Sequence, residues 1–541
     1  MKLVECVPNF SEGRNRDVID QIASAIKGTA GVDLLDVDPG MDTNRTVYTF
    51  VGEPDAVVEA AFNAIKLGSS LIDMRNHSGA HPRMGACDVC PFIPVSEVTM
   101  DDCVELAKRL GKMVGEQLGI PVYLYEFAAS SEYRKNLADI RSGEYESLPA
   151  KLNDPGWKPD FGPSIFDQNV ARSGATVIGA REFLIAYNLN LNSREKAHAN
   201  NIAKKIREKG DIKKNPDGTQ TVIPGKFKEC KAIGWYVEDY KRAQISINLT
   251  NFHVTNMQHV FDEATKEGEK IGVRITGSEI VGLVPLQAIK EAGLHYIKKQ
   301  GLSRAVSERE VIDIAIYSLG LSDVQPFNPD EKIIEYKIKK SGRLIDLRLT
   351  EFLDELASKS PAPGGGSVSA LNGSIAASLG CMVGNLTFKK KGYENFSDEI
   401  EKIAFDLNSI RTEFLNLIDK DTESFNQLMT ALKTKDPVTI EEATKNACQI
   451  PLTTAGLALK TVDLLMRTAQ IGNINAISDV GVGCLNLYAS FYGAKYNVLI
   501  NLKSISDNNF KQDKIKYLQE IENQLIPKLD LIQKTVEGKM V

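Results

Sequence analysis

The segment His77-Ser78-Gly79-Ala80-His81-Pro82-Arg83-Met84-Gly85 sets two of the chain's six histidines four residues apart, with an arginine two places beyond the second. An imidazole exchanges protons near neutral pH, and a guanidinium holds carboxylates in a planar fork. Gly79, Pro82 and Gly85 interrupt any helix, so the segment is a loop. A four-residue histidine spacing suits a metal only on a helix, so no metal site is expected here. Around the loop the polar outliers are Asn9, Glu12, Asp36, Asp38, Asn44 and Arg45. Asp38 and Arg45 sit at strand ends, where a carboxylate can orient a histidine and an arginine can hold an anion. Such residues are also ordinary turn formers, and Asn9 can cap the following helix. Cys87-Asp88-Val89-Cys90 is a CxxC without a second half, and Pro91 excludes a thioredoxin-like helix.

A second chemical centre lies far along the chain. On the helix through Glu413 to Met429, Phe414, Leu417, Ile418, Phe425 and Leu428 define one apolar stripe, and Asp421 falls on it. A carboxylate facing a core has a raised pKa and suits acid/base work, or it caps a neighbouring helix. Asp419 falls off the stripe and should be solvated. Pro363-Gly364-Gly365-Gly366-Ser367 directly precedes a helix whose N–H groups can bind an anion, and it lacks the lysine of a P-loop. Amides and other polar groups concentrate at Asn473, Asn475, Ser478-Asp479 and Asn497 to Asn501; they suit a pterin-like edge or tie helices together. Trp157, Phe161, Gly162, Pro163, Ser164, Arg172 and Gly174 form either a slot for a flat, acidic heterocycle or a rigid strap.

The elements that must position these residues follow two grammars. Strands over 3–8, 32–37, 46–51, 89–94 and 122–127, with helices over 17–26, 55–67 and 100–118, make a first α/β unit. Ser131 to Ile178 reads as irregular connection. A second unit runs strand 183–190, helix 194–209, a turn at Asn215-Pro216-Asp217-Gly218, strands 232–238 and 243–248, helix 255–272 and strand 274–280. That order fits a split βαβ, ferredoxin-like sandwich, and the first unit opens the same way. The two are read as related subdomains facing a cleft. Gln325 to Ser341 is linker-like, and from Leu347 onward helical periodicity dominates, predicting an all-α bundle. The expected domains are 1–180, 181–337, a linker at 338–346, and 347–541.

The chain has 541 residues, too many for one core, and 43% hydrophobic content, ordinary for a globular protein. A net charge of −6 argues against general nucleic-acid binding. The apolar run Val368 to Leu386 is broken by Asn372, Gly373, Gly380, Gly384 and Asn385, which suits protein packing better than lipid, so no membrane partner is expected. Eight dispersed cysteines follow no disulfide framework, pointing to a reducing cytoplasm.

Several of these stretches carry a family likeness. Val4-Glu5-Cys6-Val7-Pro8-Asn9-Phe10-Ser11-Glu12-Gly13, Asn44-Arg45-Thr46, His81-Pro82-Arg83-Met84-Gly85 and Asp160-Phe161-Gly162-Pro163 resemble glutamate formimidoyltransferases. Ala362-Pro363-Gly364-Gly365-Gly366-Ser367 and Ser478-Asp479 resemble formimidoyltetrahydrofolate cyclodeaminases. In this order the chain resembles the bifunctional formimidoyltransferase-cyclodeaminase family. The resemblance implies transfer of a formimidoyl group from N-formimidoyl-L-glutamate to N5 of tetrahydrofolate. Closure to 5,10-methenyltetrahydrofolate with release of ammonia follows. It places the catalytic histidine on His81, the catalytic aspartate on Asp421 and the folate segment on Gly162 to Gly174. Beside that assignment, charge and placement make Asp38, Arg45 and Arg83 candidates to orient His81 and hold glutamate carboxylates. Tetrahydrofolate is expected as co-substrate with no tightly bound cofactor, and a homo-oligomer, in the family a ring-shaped octamer, as the assembly. The alternatives are a formyl donor, a methenyltetrahydrofolate cyclohydrolase and a non-catalytic folate scaffold.

Overall fold

The computed structural model describes every residue except 1, 42, 80, 216–218 and 339–342. Two compact units emerge: Met1–Ala292 with Ile316–Ile338, and Gly293–Ala315 with Lys339–Val541.

The first unit opens on a seven-stranded sheet: β1 (Leu3–Cys6), β2 (Asn9–Phe10), β3 (Val32–Gly40), β4 (Arg45–Gly52), β5 (Cys87–Ser96), β6 (Val122–Glu126) and β7 (Thr176–Ala180). Pro8 has no N–H for a ladder, so one line of chain breaks into β1 and β2. Both pieces pair antiparallel with β4 and β5. Helices α1 (Arg16–Lys27), α2 (Pro54–Leu71) and α3 (Met100–Leu118) cover one face, α1 through the 3.6-period stripe Ile19, Ile22, Ala23 and Ile26. Strand alternation sends Val4 and Cys6 into that core, which leaves Glu5 for the opposite face.

The stretch expected to be wholly irregular ends instead in β7, which lies parallel between β5 and β6. Thr176 to Ala180 is fully buried on both faces, so no polar alternation marked it as a strand. The stretch also holds α4 (Gln168–Ser173), capped by Asp167.

The second sheet joins β8 (Ile185–Leu191), β11 (Cys230–Val237), β12 (Arg242–Leu249) and β13 (Ile275–Val281) in the order β11-β12-β8-β13, all antiparallel. Helices α5 (Lys196–Ile206) and α6 (Met257–Glu269) supply its crossovers. An unexpected hairpin, β9 (Asp211–Lys214) with β10 (Gln220–Ile223), flanks the expected turn, whose residues 216–218 lie outside the described residues. The linker-like reading of Gln325 to Ser341 does not hold over its described part. Ile333 and Ile334 are buried, Ile333 bridges to Val284, and the Lys337 ammonium donates to the Leu35 carbonyl at 2.7 Å. In the linker expected at 338–346, 339–342 are outside the described residues, whereas Leu344 is packed in a core.

The second unit is helical: α7 (Gly365–Thr387), α8 (Ser397–Thr434), α9 (Pro437–Ile471), α10 (Ile477–Leu502) and α11 (Asn508–Met540). α7 is long and apolar enough to cross a membrane, yet it lies mostly buried among its neighbours. Its missing β-carbons decide how close they come: one at Gly373 would meet the Phe414 ring at 2.4 Å. α10 runs antiparallel to α7. The Asn473 N–H just before α10 reaches Thr387 Oγ1 at 2.8 Å, and Asn497 near its other end adjoins Gly365.

Glu5 is 3% exposed, and burial lifts its carboxyl to about 7, against the opposing pull of Arg181 and with a further push from Glu335. The folded state therefore holds the proton more tightly than the unfolded chain. Glu5 takes stability away as pH rises from about 4.5, and the loss is complete above about 7. Glu5→Gln is expected to stabilise the protein at pH 8 by roughly 1–3 kcal/mol, with the gain vanishing toward pH 4.5 in urea unfolding.

Candidate functional site

The histidine loop is tied down before its chemistry is set. Asn44, buried and left-handed at φ 47°, accepts the Gly13 N–H at 3.0 Å and donates to the Ser78 carbonyl at 3.0 Å. Its own carbonyl takes the His77 Nε2 proton at 2.9 Å. Arg83 Nε donates to His77 Nδ1 at 3.2 Å, so both nitrogens of His77 are used structurally. Gly85 bridges to Gly174, where a β-carbon on Gly85 would lie 2.3 Å from the Ala175 carbonyl.

His81 is half-buried, and its tautomer follows from its partners. Nδ1 lies 2.7 Å from the Pro82 carbonyl, which can only accept, so Nδ1 carries the proton. Nε2 is then a lone pair, and Arg45 Nη1 donates to it at 2.5 Å. The other arm of Arg45 donates to Asn9 Oδ1 at 2.5 Å, while its buried Nε has no partner. Asn9 therefore serves Arg45, and Asn15 caps α1 instead. Burial pushes the His81 pKa below its ordinary value, and the Arg45 cation adds to the effect.

Two expected neighbours are missing from this cluster. Asp38 is exposed on β3, and among the described residues its side chain makes no hydrogen bond or ion pair; it does not orient His81. Arg83 is buried and already neutralised by Glu144 at 2.9 Å and Glu146 at 2.7 Å, so it is no free carboxylate clamp. Those groups line a cleft of about 450 Å³ with His77, Ser78, Gly79 and Gly143. Sequence reasoning overlooked Glu144, Glu146, Asp88 and Arg141. Asp88 is fully buried, accepts the Met84 N–H at 2.9 Å and pairs with Arg141 at 2.5 Å. Nothing local in the sequence couples residues 53 positions apart.

Just before the 162–174 segment, Phe161 tucks against Gly111 and Gly115 of α3, and its half-buried ring lines a cleft of about 360 Å³ with Glu105, Leu106, Lys108, Arg109 and Lys112 of that helix. Gly162, at φ 85°, sits against the Ile120 carbonyl, and Gly174 closes on Met84 and Gly85. Trp157 belongs to a stack with Tyr123, Tyr133 and the buried Arg134. Pro163 and Ser164 are half-buried, whereas Arg172 is exposed and its guanidinium donates to the Ser70 carbonyl.

The second cluster sits where α8 passes the start of α7. Asp421 Oδ2 accepts the Ser367 hydroxyl at 3.1 Å, and its carboxylate also takes the Ser367 N–H. A β-carbon at Gly366 would lie 2.1 Å from Asp421 Oδ1, so glycine is what admits the carboxylate. The anion expected at this helix N-terminus is the protein's own Asp421. Burial raises its pKa, and the two Ser367 bonds oppose the rise. Asn497 adjoins Gly365 here. Asp419 is not solvated as expected. It is half-buried, accepts the Leu344 N–H at 2.6 Å, and burial raises its pKa as well. Ser478 and Asp479 open α10 at the far end of α7, roughly 28 Å along the helix at 1.5 Å per residue from Asn497, which lies level with Asp421. One chain does not bring them to Asp421. Among the described residues no His, Cys, Asp and Glu group could hold a metal.

Two outcomes follow from this geometry. The His81 imidazole is expected to titrate below 6.5 by nitrogen NMR, and Arg45→Gln to move the midpoint upward by removing the adjacent cation. Gly366→Ala is expected to displace Asp421 and to cost about 1–3 kcal/mol in thermal unfolding, as overpacking does.

Known proteins are similar to this chain in sequence over nearly all of its length. Residues 3–181 match the family model for the formiminotransferase domain, N-terminal subdomain; residues 186–339 match the formiminotransferase domain; and 348–520 match formiminotransferase-cyclodeaminase. The formimidoyltransferase-cyclodeaminase of Dictyostelium discoideum is 45% identical over 529 residues, 96% of each chain. That of Sus scrofa is 42% identical over 549 residues, 98% of this chain and 99% of its own. The glutamate formimidoyltransferase of Streptococcus pyogenes serotype M1 is 41% identical over 298 residues, 55% of this chain and 94% of its own. With relatives of that identity matched nearly end to end, the chain belongs to the formimidoyltransferase-cyclodeaminase family.

Proposed function

We propose that the chain is a bifunctional folate enzyme of histidine breakdown. Residues 1–180 and 181–337 form the transferase and 347–541 the cyclodeaminase. The strand orders support reading the two transferase halves as split βαβ, ferredoxin-like subdomains. Tetrahydrofolate is a co-substrate, and no cofactor is tightly bound. Eight free, buried cysteines support a cytoplasmic setting. The exposed Val482, Leu485, Tyr488 and Tyr496 along α10 support a homo-oligomer.

The observation that carries the transferase reading is the lone pair on His81 Nε2. As N5 of tetrahydrofolate attacks the formimidoyl carbon of N-formimidoyl-L-glutamate, Nε2 takes the N5 proton and returns it to the departing glutamate nitrogen. Arg45 must first leave Nε2. Its charge then disfavours the imidazolium and speeds the return of the proton. Asp421, with its raised pKa, receives the N10 proton as N10 closes on the formimidoyl carbon and hands a proton to the leaving ammonia.

A coupled assay separates the two centres. His81→Ala is expected to slow transfer from N-formimidoyl-L-glutamate roughly a hundred- to ten-thousandfold while still cyclising supplied 5-formimidoyltetrahydrofolate. Asp421→Asn should do the reverse, accumulating 5-formimidoyltetrahydrofolate without ammonia. Loss of both activities in either variant would assign that residue a structural role. Normal turnover of the same folate with N-formyl-L-glutamate would favour the formyl donor.

A further inference from the structure

The charges around His81 do not balance. Arg45 and Arg141 are both cations, whereas Asp88 is the carboxylate that they share electrostatically, and His81 is neutral in the tautomer described above. Arg45 has only neutral hydrogen-bond partners, Asn9 and His81, and its buried Nε has none. Arg141 gives Nη2 and Nε to Asp88, at 2.5 and 3.4 Å, and among the described residues its Nη1 makes no hydrogen bond. Its side chain is 12% exposed, so a small ligand can reach it, while Asp88 beneath is fully buried. One positive charge is therefore left over in a poorly solvated place within electrostatic reach of the base. Arg83, by contrast, faces two carboxylates and carries a surplus of negative charge around it.

We propose that Arg141, rather than Arg83, is the partner of Arg45 in binding the carboxylates of the amino-acid donor. This rests on the transferase reading of His81. A carboxylate bridging Arg45 and Arg141 meets the free Nη1 of Arg141 and neutralises the surplus charge. It also offers Arg45 a stronger acceptor than the imidazole, so arrival of the donor frees Nε2 for proton transfer. Arg141 is held ready for this role. Its N–H bonds the Leu137 carbonyl at 3.0 Å, and four residues on, the Tyr145 N–H bonds the Arg83 carbonyl at 2.9 Å, fastening its segment to the histidine loop.

The test uses the full chain and two readouts. In calorimetry, L-glutamate is expected to bind the unaltered protein more tightly than L-glutamine, and Arg141→Gln to abolish that preference. In steady-state transfer, Arg141→Gln should raise KM for N-formimidoyl-L-glutamate on the order of tenfold to a hundredfold. KM for tetrahydrofolate and the cyclisation of supplied 5-formimidoyltetrahydrofolate should stay within about twofold. Arg141→Lys should recover part of the loss. Because Arg141→Gln leaves Asp88 buried and unpaired, the double variant Arg141→Gln/Asp88→Asn removes both charges and must show the same donor defect in a folded protein. An unchanged donor KM with glutamate preference retained overturns the proposal, as does a defect confined to Arg83→Gln. A fall in melting temperature with both KM values shifted equally overturns it too, in favour of a structural counter-ion. Arg141-dependent glutamate binding in a protein that transfers no formimidoyl group would instead sink the transferase reading alone.

Discussion

A guanidinium withdrawn from water needs acceptors for its donors, and the way Arg45 finds them organises the candidate site around His81. Its acceptors are neutral. One is the amide of Asn9, delivered by the short strand that resumes after Pro8 interrupts the ladder. The other is the Nε2 lone pair of His81, which exists because the neighbouring Pro82 carbonyl holds the ring proton on Nδ1. The histidine's basic nitrogen thus follows from the Pro82 carbonyl, and its lowered pKa from burial first and from the Arg45 cation second. Asn44 fixes the loop that carries the histidine, so the pairing does not depend on the histidine's own flexibility.

The helical site uses the same economy with the sign reversed. Asp421 is a carboxylate facing a core, and its acceptor atoms are met by a helix N-terminus and a serine hydroxyl rather than by a cation. A neighbouring arginine would hold the carboxylate ionised and depress its pKa. Neutral donors leave burial as the larger influence, so the group stays within range of proton exchange. The missing β-carbon at Gly366 is what allows this distance.

Where sequence reading succeeded, a local period carried the information. The helices from 16 to 27 and 100 to 118 declare themselves by a 3.6-residue apolar stripe, and Asp421 stands out because it interrupts such a stripe. Where it failed, the deciding partner lay far away in sequence. Strand 176–180 is buried on both sides and shows no alternation, and Asp419 looks solvated until the Leu344 N–H arrives from 75 residues earlier. Arg83 reads as a free clamp until Glu144 and Glu146 close on it.

By itself the amino-acid order determined the family and the two-part α/β and helical organisation, and it singled out His81 and Asp421 as one candidate centre each, because spacing and side-chain chemistry are local properties. Only the tertiary structure decided which charges are neutralised and which are not. It set Arg45 on His81, took Arg83 and Asp38 out of the cluster, brought Arg141 in, and put Ser478 and Asp479 at the opposite end of a helix from Asp421. The reason is physical: a side chain's protonation and availability depend on burial and on partners within a few ångströms, and those distances exist only once the chain has folded.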